Sequence, residues 1–261
     1  MGLAGGIHPT AIVHPAARIG VGVSVGAYSV IDEHVEIGAG TSVGHHCVIT
    51  GRSRIGRENR IFHFCSIGEE PQDKKYDEEA TRLEIGDRNT IREYCTLNTG
   101  TAQDSGVTRV GCDNWIMAYV HVAHDCVVGD HTVFANNATL AGHVHVGDWA
   151  ILGGFTGVHQ FCRVGAHSFC GVGTVLLQDL PPFVICAGNP AVPRSINAEG
   201  LNRRGFSPDS IAAIKRAYKL LYRNGLSFDQ ARTQIADLVL AVPELAPLAS
   251  FLAESGRGVI R

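Results

Sequence analysis

Seven residues able to hold or move a proton crowd between positions 121 and 160: His121, His124, Asp125, Gly142, His143, His159 and Gln160. An imidazole titrates near neutrality, so His124 suits removal of a proton from a hydroxyl whose oxygen attacks a carbonyl. Asp125 follows it in the chain and can orient the ring and stabilise its charged form. Gly142 offers a backbone N–H with no side chain beside it, a donor for a developing oxyanion. His121, His143, His159 and Gln160 supply polar contacts around such a centre. No serine or cysteine stands by the base as a nucleophile, so direct transfer fits better than a covalent intermediate. Three imidazoles and a water also make a catalytic zinc site. Metal chemistry and a purely structural role for each histidine therefore stay open on these residues alone.

The elements that must position these groups are read from a beat of six. From Val110 every sixth residue is apolar or Cys: Ile116, Val122, Val128, Phe134, Leu140, Val146, Leu152, Val158, Val164, Cys170 and Leu176. An earlier tract keeps the same spacing through Ile7, Val13, Ile19, Val25, Ile31, Ile37, Val43, Ile49, Ile55, Ile61 and Ile67. Helices and simple strands have other periods, and a six-residue repeat is the signature of a parallel β-helix. Three hexads close one triangular coil, so residues 18 apart stack in neighbouring coils ~4.8 Å apart. His124, Gly142 and Gln160 then form one column, and Asp125, His143 and Phe161 the next. Adjacent residues of a strand point to opposite faces, so His124 and Asp125 can pair only at a corner. The glycine after many beat positions (Gly20, Gly26, Gly38, Gly44, Gly56, Gly68) is expected to serve such a corner through unusual backbone angles.

Two stretches break the beat, about residues 69–82 and 98–109, and read as loops on one rigid scaffold, where function often sits. The first is charged and holds Asp73, Lys74 and Lys75. The prism is expected to close near Pro181 and Pro182, giving a β-helix over 1–193. Residues 194–261 change to a helical pattern, a small domain that also caps the coil end. Ser207 and Pro208 supply an N-cap and first helical residue, and Ser227 caps a helix carrying Ala231, Ile235, Leu238 and Leu240. A last helix runs from about Pro243 to Glu254, with Gly256 beyond it. Arg203, Arg204, Lys215, Arg216, Lys219 and Arg223 face only Asp209 in charge, which suggests an anionic partner such as a phosphate-bearing molecule or a small acidic protein.

The bulk numbers narrow the class. With 31 glycines and 7% aromatics the chain suits a repetitive β architecture. A formal charge of -3 argues against a nucleic-acid binder. The opening residues Met1 to Gly6 lack the basic and apolar regions of a signal peptide, and no apolar run approaches the ~20 residues of a membrane span. The expectation is a cytoplasmic protein. None of the eight cysteines forms a Cys-x-x-Cys pair; Cys47, Cys65, Cys95, Cys126 and Cys162 each fall four residues after a beat, pointing into the coil as structural thiols.

Taken together, three segments and the tail resemble a known family. They are His121 to Cys126, Ala135 to Val144 and Val158 to Cys162, followed by Asn197 to Ser207 and Ala217 to Arg223. They are similar to the UDP-N-acetylglucosamine O-acyltransferases, which begin lipid A biosynthesis, and the likeness covers nearly the whole chain. The resemblance implies a left-handed parallel β-helix with an α-helical tail, assembled as a homotrimer with active sites between subunits. It implies transfer of an (R)-3-hydroxyacyl group from the phosphopantetheine of acyl carrier protein to the 3-hydroxyl of UDP-N-acetylglucosamine, with no metal or other cofactor. By motif, His124 resembles the general base, Asp125 its orienting partner and Gly142 the oxyanion donor. Asp73, Lys75, His121 and His143 resemble sugar and phosphate contacts, and His159 and Gln160 substrate contacts. Asn197, Glu199, Arg203 and Arg204 match a region that binds nucleotide and phosphate, partly across the subunit interface. Relatives carry His-Arg-Gly where this chain has Asn98-Thr99-Gly100, and Pro190 replaces a histidine found in some. Phe169 and Val172 resemble the acyl-chain ruler, with Val172 where long-chain-selective members have glycine, which implies a shorter acyl group here.

Overall fold

The computed structural model describes residues 6–77, 79–255 and 258–261. Residues 1–5, on which most of the signal-peptide reading falls, and Gly256 lie outside them. Among these residues short strands, most of two residues, build three sheets of nine, eight and ten strands, parallel throughout except for the last strand of the third. We call these the first face (Ile12–Val13 through Val175–Leu176), the second (Arg18–Ile19 through Arg163–Val164) and the third (Ser24–Val25 through Val192–Ile196). Pairing follows the 18-residue period: His121 pairs with Thr139 and Thr139 with Gly157. The beat residues fill the prism, and Val25, Val43, Ile61, Val122, Leu140 and Leu176 are all buried. In the first coil Ile7 stays exposed. The cysteines expected inside, Cys47, Cys65, Cys95, Cys126 and Cys162, are buried thiols.

The corners differ from expectation in an informative way. The residue with left-handed backbone angles is the third after the beat, and it is usually aromatic, histidine or acidic: Tyr28, Asp125, His143, Trp149 and Phe161 have φ between 57° and 66°. Gly20, Gly26, Gly38, Gly44 and Gly56 do not lie in that region. They are required by close approach instead, since a Cβ on Gly26 would lie 2.5 Å from the carbonyl oxygen of Gly44 in the next coil. A stack of corner rings results, with Tyr28, His46, Phe64, Tyr94 and Tyr119 following one another at centroid spacings of 4.8–5.1 Å.

Both insertions leave from one edge, between the first and second faces. The first loop joins Ser66–Glu69 to Arg82–Ile85 and the second joins Thr96–Asn98 to Val107–Val110. The second is shorter than expected, because Val107, Thr108 and Arg109 already pair with Arg82, Leu83 and Glu84. Register survives both: Ile67 pairs with Leu97, and Leu97 with Val122.

The prism also continues past its prolines. Val184–Ala187 adds a parallel strand to the third face, and Val192–Ile196 turns back antiparallel and runs across the expected boundary at 193/194. Among the described residues four α-helices follow, α1 (Ala198–Arg203), α2 (Pro208–Tyr222), α3 (Phe228–Val239) and α4 (Ala246–Ala253), with a 3-10 turn at Pro243–Leu245 leading into α4. Ser207 caps α2, and Ser227 with Gln230 forms a capping box on α3. Because α3 ends at Val239, Leu240 falls outside it and is exposed rather than packed. The chain end returns to the prism, where Ile260 N–H donates to the Asp179 carbonyl at 3.0 Å.

Phe134 is among the largest fully buried side chains of the coil interior. Phe134→Ala should destabilise the fold by about 3–5 kcal/mol, read from the midpoint of urea unfolding. A loss under about 1 kcal/mol would contradict a close-packed interior at that rung.

Candidate active site

The edge that carries both loops also carries the histidines. His124 and Asp125 occupy a corner between the strands His121–Val122 and Val127–Val128. The left-handed turn at Asp125 bends its side chain back beside its neighbour, so the pairing that a straight strand forbids is made. His124 Nδ1 lies 3.0 Å from Asp125 Oδ2, leaving Nε2 to meet a substrate. Asp125 is held from several sides. Its carboxylate accepts from the Thr101 N–H at 3.0 and 3.1 Å and from Thr101 Oγ1 at 2.7 Å. Its own N–H donates to Thr108 Oγ1 at 2.8 Å. Burial alone would raise its pKa, but the hydrogen bonds from His124 and Thr101 outweigh that and hold the carboxyl below its ordinary value.

Gly142 lies in the next coil directly beneath the ring. A Cβ there would sit 2.4 Å from His124 Cε1 and 2.5 Å from Nε2, so only glycine admits the imidazole in this position. Its carbonyl accepts from Phe161 N–H at 3.1 Å, while among the described residues its own N–H has no acceptor. An imidazole nitrogen and a backbone amide from consecutive coils thus stand side by side. His143 follows, with its ring edge-on to His124 at 4.9 Å and stacked on Phe161 at 4.3 Å. On the adjoining first face, His121 Nδ1 is 2.7 Å from Thr96 Oγ1, and burial followed by the nearby His124 lowers its pKa.

Gln160 continues the column of His124 and Gly142, and His159 lies beside it with Nδ1 3.0 Å from the Gln160 carbonyl. Asp73 and Lys75 lie in the first loop, which springs from this edge, and Asp73 Oδ1 accepts from the Lys75 N–H at 3.0 Å. The tail residues are elsewhere. Arg204 lies over the Trp149 ring at 5.1 Å and 3.3 Å from His167 Nδ1, on the edge between the second and third faces. Burial and the neighbouring Arg204 push His167 down to about 4. Asn197 is spent on structure: its Nδ2 donates to the His167 carbonyl at 2.9 Å and its Oδ1 caps α1 through Gly200 N–H at 3.2 Å. Glu199 and Arg203 pair with each other at 2.9 Å on the surface of α1. Val172 sits on the third edge, 78% exposed, and Phe169 is half-buried on the third face. One chain therefore distributes the expected site over three edges and unites only its catalytic part.

Residues that pattern reading missed lace the loops to this centre. Thr101 and Thr108 grip Asp125, and Asp104 Oδ2 lies 2.6 Å from His143 Nδ1. Their separations from the histidines are not multiples of 18, because the second insertion shifts the phase. Asn98 and Thr99, where His-Arg was expected from the resemblance, have a structural use. Asn98 Nδ2 donates to the carbonyls of Glu69 and Glu70 at 3.2 and 2.6 Å, and Thr99 Oγ1 lies 3.3 Å from Thr81 Oγ1, tying the base of the first loop.

Among the described residues, ligand atoms of His124, Asp125 and His143 come within 4.8 Å of one another, close enough to share an ion. Two imidazoles and a carboxylate differ from the three-imidazole set of the zinc alternative. Each Nδ1 is engaged by a carboxylate, which leaves Nε2 of each ring to face a ligand.

Comparison with known proteins decides the family. A protein of Thiobacillus denitrificans called acyl-[acyl-carrier-protein]--UDP-N-acetylglucosamine O-acyltransferase is 62% identical over 98% of this chain and 99% of its own. Its namesake in Herminiimonas arsenicoxydans is 58% identical over the same shares. This chain belongs to the UDP-N-acetylglucosamine O-acyltransferases. Residues 179–260 match the second domain of the Udp N-acetylglucosamine O-acyltransferases, and residues 108–142 match the bacterial transferase hexapeptide repeats. The solved O-acyltransferase of Moraxella catarrhalis superposes with a TM-score of 0.95 at 44% identity, covering 98% of this chain and 99% of that one. The acyltransferase of Francisella novicida gives 0.96 at 41% identity, over 98% and 94%. As in other O-acyltransferases of this family, the fold is a left-handed parallel β-helix with a few short carboxy-terminal helices, an exception to the usual hand of parallel crossovers.

Gly142→Ala should push the imbalance onto His124: the added methyl displaces the ring while the exposed surface stays unchanged. Catalytic turnover should fall at least about 100-fold with the unfolding midpoint little altered. Turnover within threefold of the parent would remove Gly142 from the centre.

Proposed function

We propose that this chain moves an (R)-3-hydroxyacyl group from acyl carrier protein to the 3-hydroxyl of UDP-N-acetylglucosamine, the first step of lipid A biosynthesis, in the cytoplasm. The observation that carries the reading is the contact between the His124 ring and Gly142, a base and a backbone donor on consecutive coils. The names of the curated relatives supply the donor and acceptor.

In this reading His124 Nε2 takes the proton of the sugar hydroxyl as its oxygen attacks the thioester carbonyl. Asp125 stabilises the imidazolium, and the Gly142 N–H meets the oxyanion. Collapse expels the phosphopantetheine thiolate, which takes the proton back from His124, so no acyl-enzyme forms and no metal or cofactor is called on. His121, His143, His159, Gln160, Asp73 and Lys75 surround the sugar and its phosphates. Glu199, Arg203 and Arg204 reach the nucleotide from a neighbouring copy, with Asn197 holding α1 in place for them. Their placement on a different edge from His124 favours a homotrimer, in which edges of different copies meet. No described helix is long and apolar enough to cross a membrane, and the basic side of α2 suits an acidic carrier protein.

The acyl chain would cross the first face from the His124 edge to the Val172 edge. Gly157 lies on that path, and a Cβ there would meet nothing within 4 Å, leaving room for methylenes. Val172 projects from the far edge and shortens the groove. The tail helices, taken with the prism as a second unit over 194–261, would supply the opposite wall from the next copy.

Purified protein with UDP-N-acetylglucosamine and acyl carrier proteins of graded chain length, with products identified by mass, tests the reaction. His124→Ala should reduce turnover about 10²–10⁴-fold with the fold intact; near-full activity would remove His124 as the base. In the same assay Val172→Gly should shift preference toward longer donors, by about fourfold for a methylene worth ~0.8 kcal/mol. An unchanged preference for the longest donor in both proteins would overturn the ruler assignment.

A further inference from the structure

We propose that Asp104, in the second loop, is a positioning residue that fixes His143 as a hydrogen-bond acceptor toward the sugar. This rests on the acyltransfer reading above. The plane of the His143 ring is already set by its neighbours: it stacks on Phe161 at an interplanar angle of 12°, stands at 89° to His124, and its backbone N–H donates to the His124 carbonyl at 3.0 Å. What packing cannot set is which ring nitrogen bears the proton. A carboxylate accepts only, so Asp104 Oδ2 at 2.6 Å from Nδ1 places the proton there. Nε2 then keeps its lone pair for an O–H or amide N–H of the bound amino sugar. The Asp125 carboxylate is the alternative partner, but it lies 4.0 Å from the same nitrogen and is 3.0 Å from His124.

The loop delivers Thr101 to Asp125 and Asp104 to His143 from one turn. Within the Thr101–Gly106 turn, the N–H groups of Asp104 and Gly106 donate to the Thr101 carbonyl at 3.3 and 3.1 Å. Thr101 holds Asp125 from the same turn, so each imidazole has its own acid: Asp125 for the base His124, Asp104 for His143. In this proposal Asp104 acts through His143, its partner at 2.6 Å.

The test is a cycle of Asp104→Asn, His143→Gln and the double variant, measuring KM for UDP-N-acetylglucosamine and kcat at saturating acyl donor, with calorimetric titration of UDP-N-acetylglucosamine alongside. An asparagine can present its NH₂ to Nδ1 and reverse the ring's polarity. Asp104→Asn should raise KM and Kd about tenfold, the effect of one misdirected hydrogen bond, with kcat within about twofold. In the His143→Gln background it should add no more than about 1.5-fold, and Asp104→Glu should recover most of the loss. A full tenfold effect in the absence of His143, or a loss confined to kcat, would overturn the proposal. Should Asp104→Asn fail to fold, Asp104→Ala takes its place in the same cycle: a rise in KM and Kd that vanishes in the His143→Gln background supports the proposal, and parent-like sugar affinity in Asp104→Ala overturns it. Absence of transfer by the parent protein would instead overturn the acyltransfer reading itself.

Discussion

Parallel hydrogen bonding between residues 18 apart is the constraint from which the rest of this molecule follows. Each strand is only two residues long in most coils and has little stability of its own. It gains order by pairing above and below and by placing one beat residue in the interior. Because the ladder fixes the rise between coils, a functional group in one coil has its neighbours determined by position in the repeat. His124 over Gly142, and Asp125, His143 and Phe161 along one corner, are such neighbours. The site is rigid because it is made from the same ladder that holds the fold together.

The ladder also sets limits on chemistry. A side chain on a flat face stands between two copies of its own repeat position and has few ways to meet a partner from another position. Corners relieve this restriction: the left-handed turn lets adjacent residues such as His124 and Asp125 converge. Loops relieve it further. Thr101, Asp104 and Thr108 bring acceptors and donors into a column that contains none of them by repeat, and hydrogen bonds from His124 and Thr101 hold the buried carboxyl of Asp125 below its ordinary value against the effect of burial. The His124–Asp125 pair therefore depends on repeat geometry for its spacing and on Thr101, in an irregular segment, for part of its electrostatics.

This division explains what could be read from the chain and what could not. The beat from Ile7 to Ile67 and again from Val110 to Leu176 reports the interior directly, so the coil, its columns and the buried cysteines were legible. Caps at Ser207 and Ser227 were legible for the same local reason. Of the glycines after the beat, Gly68 takes the expected left-handed angles, whereas Gly20, Gly26, Gly38, Gly44 and Gly56 are required by a neighbouring backbone, a distinction that the mere absence of a side chain in the sequence does not show. The strand Val184–Ala187 was hidden by the prolines before it, which sit in the turn and leave its pairing intact. The partners of Asp125 and His143 had no periodic signal at all, because an insertion that changes phase erases the relation between sequence distance and contact.

Both insertions leave the prism at one edge, and the strands on either side of them close in register whatever their length. Closing a longer excursion costs only slowly increasing chain entropy, roughly in proportion to the logarithm of its length. Variation at that edge is thus nearly uncoupled from the integrity of the barrel-like stack beneath it. A change in the length of either excursion should therefore leave the rungs above and below it paired as they are, with Ile67 beside Leu97 and Leu97 beside Val122.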